Sequence, residues 1–566
     1  MLKSNFFYFT EYLLVKKYFP IITAFSLLTL INCSGLKKEK IDLIVYNGTI
    51  YTVNQPFEKA EAMAINAGKI VDIGTESQII DHYRSRKKVD LQQQYVYPGF
   101  IDAHCHFIGL GLGLQNADLT GTKSWEECLA KIAVHAKSSP QDWIIGRGWD
   151  QNDWDQKEFP TNEKLNALFP DRPVLLKRID GHAAIVNSFA ISIAKIDPSV
   201  PIKGGSYITK DGNLTGVLID KAIEAVELHI PEPDSTALSA AALAAQAICF
   251  ENGLTSVSDA GLKYDAIRAV QKMYDEDLLD IRMYIMVSDD QKSIHYFLPQ
   301  GPIMEDRLSI RSLKLYVDGA LGSRGAALLE PYSDAPETSG LLLMDREELK
   351  KKAMIAYNLD FQVNTHCIGD AANRMVLDVY SDILQGQNLL RWRIEHAQIV
   401  NEQDLTKFGN YSIIPSVQPT HATSDMYWAG ERIGNERIKT AYNLKTLLKE
   451  NGVLPLGTDF PVEEVSPLNT FFAAVFRQDK KLFPERGFQI EEALSREEAL
   501  RGMTIWAAYA NFEEDKKGSL EAGKFADFVV LNKDIMKISR EEFNEIQIEK
   551  TYVNGKKVFE KETLKH

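Results

Sequence analysis

Four histidines, a lysine and an aspartate, carried by five short segments, are the side chains of this sequence best suited to holding a cation. They are His104 and His106 in PGFIDAHCHF, Lys314 in SLKLYVDGALGSRGA, His366 in VNTHCIGD, His396 in RIEHAQ and Asp459 in LPLGTDFP. His104 and His106 stand two apart at the end of a strand-like run, and strand periodicity turns both imidazoles to one face. Neutral imidazole is a common zinc ligand, so the pair makes half of a site; an HxH alone also arises from two loop histidines. Lys314 shares a face with Tyr316 and Asp318. An unpaired ammonium inside a barrel is costly, so this amine is driven neutral, snorkels to solvent or pairs with Asp318. A neutral amine can add carbon dioxide and become an anionic, bidentate carbamate able to bridge two cations. His366 shares its face with Gln362 and Asn364, the polar lining expected near a site. Arg393 and Glu395 fall on the opposite face to His396, where the expectation is that they pair with neighbouring groups at the barrel rim. Asp459 follows an apolar run ending in glycine and threonine. One carboxylate there can coordinate a cation and take a proton from bound water, the general base of a metal-assisted hydrolysis. Helix capping is the alternative, which the following Phe460-Pro461 disfavours.

Side chains so far apart in sequence need a scaffold that brings strand ends together. Apolar strand-like runs (GLTSVSDAG, SLKLYVDG, FQVNTH, RWRIEH, YSIIPSVQP, GVLPLGTD) alternate with helix-like segments such as TALSAAALAAQAICFENG. That rhythm predicts a parallel α/β sheet whose economical closed form is a barrel, with chemistry at the C-terminal strand ends. Aromatic and turn-rich sequence from about 115 to 230 interrupts it and is read as an insertion over the barrel mouth. Short strands with turn signals at Asn47-Gly48, Ala67-Gly68 and Asn554-Gly555 flank the α/β middle on both sides. They predict one small β domain built from both termini, with two separate hairpin caps as the alternative. The expected division is 1–33 signal segment, 41–97 and 509–562 the two parts of the β domain, and 98–508 the barrel.

The chain has 566 residues, 45% of them hydrophobic, and a formal net charge of −14, so no basic footprint points to nucleic acid. Cys105, Cys128, Cys249 and Cys367 form no CxxC pair, which argues against a disulfide framework or a thiolate zinc site. Alternation turns Cys105 away from its histidine neighbours, so it is read as packing. At the N-terminus Lys16 and Lys17 precede the apolar run PIITAFSLLTLIN, shorter than the about 20 residues of a membrane span, followed by Cys33-Ser34-Gly35. With Leu30 in the apolar place it resembles a bacterial lipobox, though Asn32 departs from the small residue usual there. This predicts export and lipid anchoring at Cys33, with a plain signal peptide or short anchor helix as the alternative.

Together these segments resemble the amidohydrolase superfamily, and KLYVDGALGSRGA and SVQPTHATSD look like its N-substituted formamide deformylase-like branch. The resemblance runs from about Asp42 to Phe559, with PGFIDAHCHF, THCIGD, EHAQ, GTDFPV and GSLEAGKFADFVVL in the family's order. It implies a TIM (β/α)8 barrel, a β-sandwich formed by both termini, and one or two divalent metal ions, usually zinc. By position, His104, His106 and Asp459 would hold the first metal and His366 and His396 the second, bridged by carboxylated Lys314, with Asp459 as the catalytic base. Candidates for reading a small-molecule substrate are Trp149, Asp180, His182, Asp318, Arg324, Gln418 and His421, the last foremost. Lid packing is the alternative for Trp149 and a structural ion pair for Arg324.

The first functional reading is hydrolysis of a non-peptide carbon–nitrogen bond in a small amide, formamide or cyclic ureide. Deamination or ester and lactone hydrolysis would use the same centre. A lipid-tethered binding protein without turnover is the third class, and intact ligands speak against it. A homodimer is compatible with the sequence.

Overall fold

The computed structural model describes residues 38–138, 142–210 and 212–562; the signal segment and Cys33 lie outside the described residues. Seven parallel strands form the central sheet: β1 Phe100–Cys105, β2 Leu254–Leu262, β3 Arg282–Ser288, β4 Leu308–Tyr316, β5 Gln362–Cys367, β6 Arg393–His396 and β7 Ile414–Ser416. Residues 454–460 close the ring without forming a regular strand. Val417 N–H donates to the Pro455 carbonyl at 3.1 Å on one side, and Ala103 N–H donates to that of Leu456 at 3.2 Å on the other. Gly457 makes this seam feasible, because a Cβ there would come 2.6 Å from the His104 backbone nitrogen. The result is the expected α/β barrel.

Alternation along the strands sorts the side chains. Leu313, Leu315 and Val317 face outward into the apolar layer shared with Leu349, Ala353, Val376 and Leu377 of the helices Arg346–Asn358 and Asp370–Leu384. Cys105 joins the same layer, as its place on β1 predicted. The inward residues are polar and fully buried: Tyr284, Ser312, Lys314, Gln362, Asn364, Arg393 and Glu395. Such an interior is tolerable where its members satisfy one another. Tyr284 Oη donates to Gln362 Oε1 at 2.9 Å, and Asn511 Nδ2 donates to Ser258 Oγ at 2.9 Å.

Both flanks of the chain join in a β-sandwich. In one sheet Phe528–Leu531 pairs antiparallel with Tyr95–Pro98, so early and late strands are hydrogen-bonded neighbours. The facing four-stranded sheet comprises Lys69–Gly74, Ala62–Asn66, Leu43–Tyr46 and Lys87–Asp90, and the two share a core that includes Val45, Met63, Ile65, Val96, Phe528 and Val530. A further, mixed sheet of six strands has Ala117–Asp118 at one edge and Gly205–Lys210 at the other, and packs Leu119, Trp125, Ile132, Trp149 and Trp154 into its own core. It is the predicted insertion, and its loops reach the barrel mouth. Among the described residues no helix is long and apolar enough to cross a membrane.

The barrel and the sandwich are tied by a buried ion pair. Arg282 at the start of β3 donates to Asp527 Oδ2 at 2.6 Å and to Asn554 Oδ1 at 2.6 Å, with its guanidinium 3.7 Å from the Phe525 ring centroid. Asp527→Ala strands that charge and is expected to cost about 3–5 kcal/mol. Chemical denaturation checks this, and an unchanged midpoint would mean that the pair does not hold the two units together.

Candidate metal centre

His104, next to last in β1, points into the barrel, and His106 follows at the cap of the helix Phe107–Gly113. β4 brings Lys314 beside it, with Nζ 3.2 Å from His104 Nε2. His366 stands near the end of β5 and His396 at the end of β6, their ring centroids 4.5 Å apart. Asp459 sits just past the closing seam, its N–H donating to the His104 carbonyl at 2.8 Å. Its Oδ1 lies 3.6 Å from His104 Nε2 and 3.2 Å from His106 Nε2. The six residues that the sequence singled out therefore meet at one end of one barrel.

Two backbone departures complete this convergence. His396 has φ 72° and Asp459 has φ 60°, left-handed conformations that side chains other than glycine seldom adopt. At His396 the turn breaks strand alternation, so the imidazole swings to the same interior that Arg393 and Glu395 face. The expectation that Arg393 and Glu395 lie at the rim is corrected here: both are fully buried at the barrel axis. Arg393 Nε donates to Glu395 Oε1 at 2.6 Å, and Glu395 Oε2 lies 2.6 Å from His104 Nδ1. Arg393 is itself pinned by the Ala103 carbonyl at 2.7 Å and by Asn511 Oδ1 at 3.1 Å. Burial opposes the Glu395 charge, but Arg393 and His104 outweigh it and hold the carboxyl well below its usual range. With a carboxylate accepting from Nδ1, His104 turns the lone pair of Nε2 to the cavity.

Electrostatics favour ligand-competent forms. Burial and the nearby Lys314 lower His104 to about 4, and burial with cationic neighbours holds His366 and His396 well below the usual histidine range. Burial works against an ionised Asp459, but His106 and His421 beside it keep it well below the ordinary carboxylate value. Lys314, fully buried and in no ion pair among the described residues, is lowered by burial to about 8. The residues fit a divalent cation. Ligand atoms of His104, His396 and Asp459 lie within 4.8 Å of one another, and buried His366 Nε2 and Asp459 Oδ1 have no hydrogen-bond partner among the described residues.

The expected substrate residues divide. His421, on the helix Pro419–Asp425, lies with Nε2 3.4 Å from Asp459 Oδ2 and Nδ1 3.2 Å from Glu463 Oε1. Burial opposes its charge, but those two carboxylates raise it to about 10. Asp180 and His182 also line the cavity. Gln418 instead braces a ligand, with Oε1 2.7 Å from His396 Nδ1. Asp318 is occupied by the backbone N–H groups of Ala327, Ile368 and Gly369 at 2.8 to 3.0 Å, which ties the loop after β4 to the end of β5. Trp149 and Arg324 are corrections. Trp149 is fully buried in the insertion core, its indole donating to the Leu176 carbonyl at 2.8 Å, and Arg324 pairs with Asp334 at 2.9 Å.

Sequence reasoning misplaced Glu395 and Arg393 and missed Asp102, whose carboxylate accepts from the N–H groups of His104 and Thr458 and from the Thr458 hydroxyl. The inward face of FIDAH, which carries Asp102 with His104, was the available signal for the last. Arg178 was missed too; it reaches the mouth between Asp150 and Asp180. The cavity at the mouth measures about 200 Å³, room for a small molecule.

The Amidohydrolase family profile matches residues 87–559. The amidohydrolase YtcJ of Bacillus subtilis is 32% identical over 92% of this chain and 99% of its own length. The N-substituted formamide deformylase of Arthrobacter pascens is 26% identical over 91% of this chain and 97% of its own. Among solved structures, an uncharacterised metal-dependent hydrolase from Pyrococcus horikoshii superposes with a TM-score of 0.72 at 31% identity, covering 88% of this chain and 99% of that one. A match of that length, on a barrel whose mouth gathers the histidines and the aspartate, makes this chain a member of the amidohydrolase family.

Proposed function

We propose that this hydrolase cleaves a non-peptide carbon–nitrogen bond in a small amide, formamide or cyclic ureide. The observation that carries the reading is the position of Asp459, a buried carboxylate at the focus of His104, His106 and His421 on the floor of a small cavity. His104, His106 and Asp459 would hold one divalent cation and His366 and His396 a second. Neutral imidazoles beside a carboxylate favour zinc. A cation bound there supplies Lewis acidity, polarising a carbonyl and lowering the pKa of water. Asp459 takes the proton of the attacking water and returns it to the leaving nitrogen, so the amide yields an acid and an amine. His421 faces the other carboxylate oxygen and holds Asp459 in place during that transfer.

Lys314 is read as a carbamate. Its buried amine, pushed down to about 8, has no carboxylate within ion-pair distance among the described residues and lies against His104. Addition of carbon dioxide forms the nitrogen–carbon bond, releases one proton and leaves an anion facing the cations' ligands.

Release of formate, carboxylate or ammonia across a panel of formamides, secondary amides, cyclic ureides, esters and amino-heterocycles tests the reaction; turnover confined to esters or amino-heterocycles would overturn it. In Asp459→Asn, kcat on any amide substrate should fall by about 10²–10⁴ while the melting temperature holds. Wild-type turnover would remove Asp459 as the base. Lys314→Ala should lose bound metal and activity, with partial recovery on adding a short carboxylic acid. Full metal content in that variant, read by elemental analysis, would contradict the carbamate.

A further inference from the structure

In the insertion, the antiparallel register that pairs Ala183 with Ile219 sets His182 opposite Asp220. The Asp220 N–H donates to the His182 carbonyl at 2.9 Å, and the side chains meet as well, with His182 Nδ1 2.7 Å from Asp220 Oδ1. A carboxylate only accepts, so Nδ1 carries a proton and Nε2 is the ring atom left for another partner. Among the described residues Nε2 has none, and the ring lines the cavity with its centroid 5.1 Å from that of His366.

The carboxylate occupies an expensive position. Asp220 is buried, its Oδ2 has no hydrogen-bond partner among the described residues, and its φ is 48°. Each of these features costs stability. The barrel is nonetheless shaped to receive it. A Cβ on Gly319 would come 2.8 Å from both Asp220 carboxylate oxygens, and one on Gly325 would come 2.9 Å from Oδ2. Neither glycine has a left-handed φ, so space and not backbone freedom is what these positions supply. The middle glycine of the GALGSRG loop, Gly322, gives the same clearance to Arg178, whose terminal nitrogens would lie 3.0 Å from a Cβ. The loop after β4 is thus a seat for two charged side chains that arrive from the insertion.

We propose that His182 is a substrate-contacting residue of this enzyme, delivered into the barrel cavity by the insertion and held in orientation by Asp220, with Nε2 hydrogen-bonded to the amide group of the substrate. Asp220 is its positioning residue. A dyad that served only to lock the hairpin would not need its imidazole beside His366. The turnover arm of the test rests on the amide-hydrolysis reading.

The test takes His182→Gly and Asp220→Asn in the full-length, metal-loaded enzyme, with an amide that the wild type turns over. His182→Gly should lower kcat/KM about 100-fold, the scale for removing one oriented hydrogen-bonding group from an active site. Added imidazole should restore part of the loss. Asp220→Asn should lower kcat/KM about 10-fold with metal content and melting temperature unchanged, a smaller effect because the ring remains and only its orientation suffers. Wild-type kcat/KM in His182→Gly, or a loss untouched by imidazole and matched by a fall in melting temperature, would overturn the proposal and leave a structural lock. If the wild type turns over no amide, the reaction proposed above fails, and the assignment is then read by proton NMR. The low-field His182 Nδ1–H signal, identified by its loss in His182→Gly, should shift when formamide is added. A signal indifferent to formamide overturns the contact.

Discussion

A carboxylate with no access to water lies on the barrel axis and stays ionised because Arg393 grips one of its oxygens and His104 the other. Removing Arg393 or Glu395 strands the other as a buried charge, which is among the costliest defects a core can carry. The chain also fixes function. Glu395 decides which nitrogen of His104 bears the proton, and so leaves Nε2 free at the cavity floor. Arg393 anchors that decision to the Ala103 carbonyl, to Asn511 and to Ser416 of β7. β1, β6, β7 and the closing segment at 454–460 are bound into one polar network before any ligand is considered.

Around this axis the parts of the chain divide the work. The barrel supplies rigid positions, and left-handed backbone at His396 and at Asp459 aims side chains that a plain strand would misdirect. Asp318 ties the β4 loop to β5, and Gln418 fixes the ring of His396. The insertion covers the mouth and lends Arg178, Asp180 and His182. The sandwich grips the start of β3 through Arg282 and Asp527.

Much of this was legible in the residue order. Most of the ligand candidates close a short apolar or β-branched run, and a barrel gathers such ends by construction, so their convergence was an expectation of the pattern that the family resemblance reinforced. The polar lining of β5 and the outward turn of Cys105 followed from alternation. Where alternation fails, the reading failed with it: a positive φ at His396 reverses the inferred side of Arg393 and Glu395, and nothing in RWRIEH announces that turn. Trp149 and Arg324 illustrate a second limit, since an aromatic or a guanidinium near a motif carries no mark of whether it meets a substrate, a core or an aspartate. His182 and Asp220 illustrate a third. Their pairing depends on the register of an antiparallel hairpin, a relation between strands that composition does not encode.

The central claim is that these buried side chains constitute a single cation-binding centre. Anomalous diffraction from crystals of the full chain grown with zinc, collected on both sides of the zinc absorption edge, addresses it most directly. The account predicts strong anomalous density bounded by His104, His106, His366, His396 and Asp459, with electron density for a carboxylated Lys314 between two sites when both are filled. Zinc density confined to surface positions, with those imidazoles hydrogen-bonded only to protein, would contradict it.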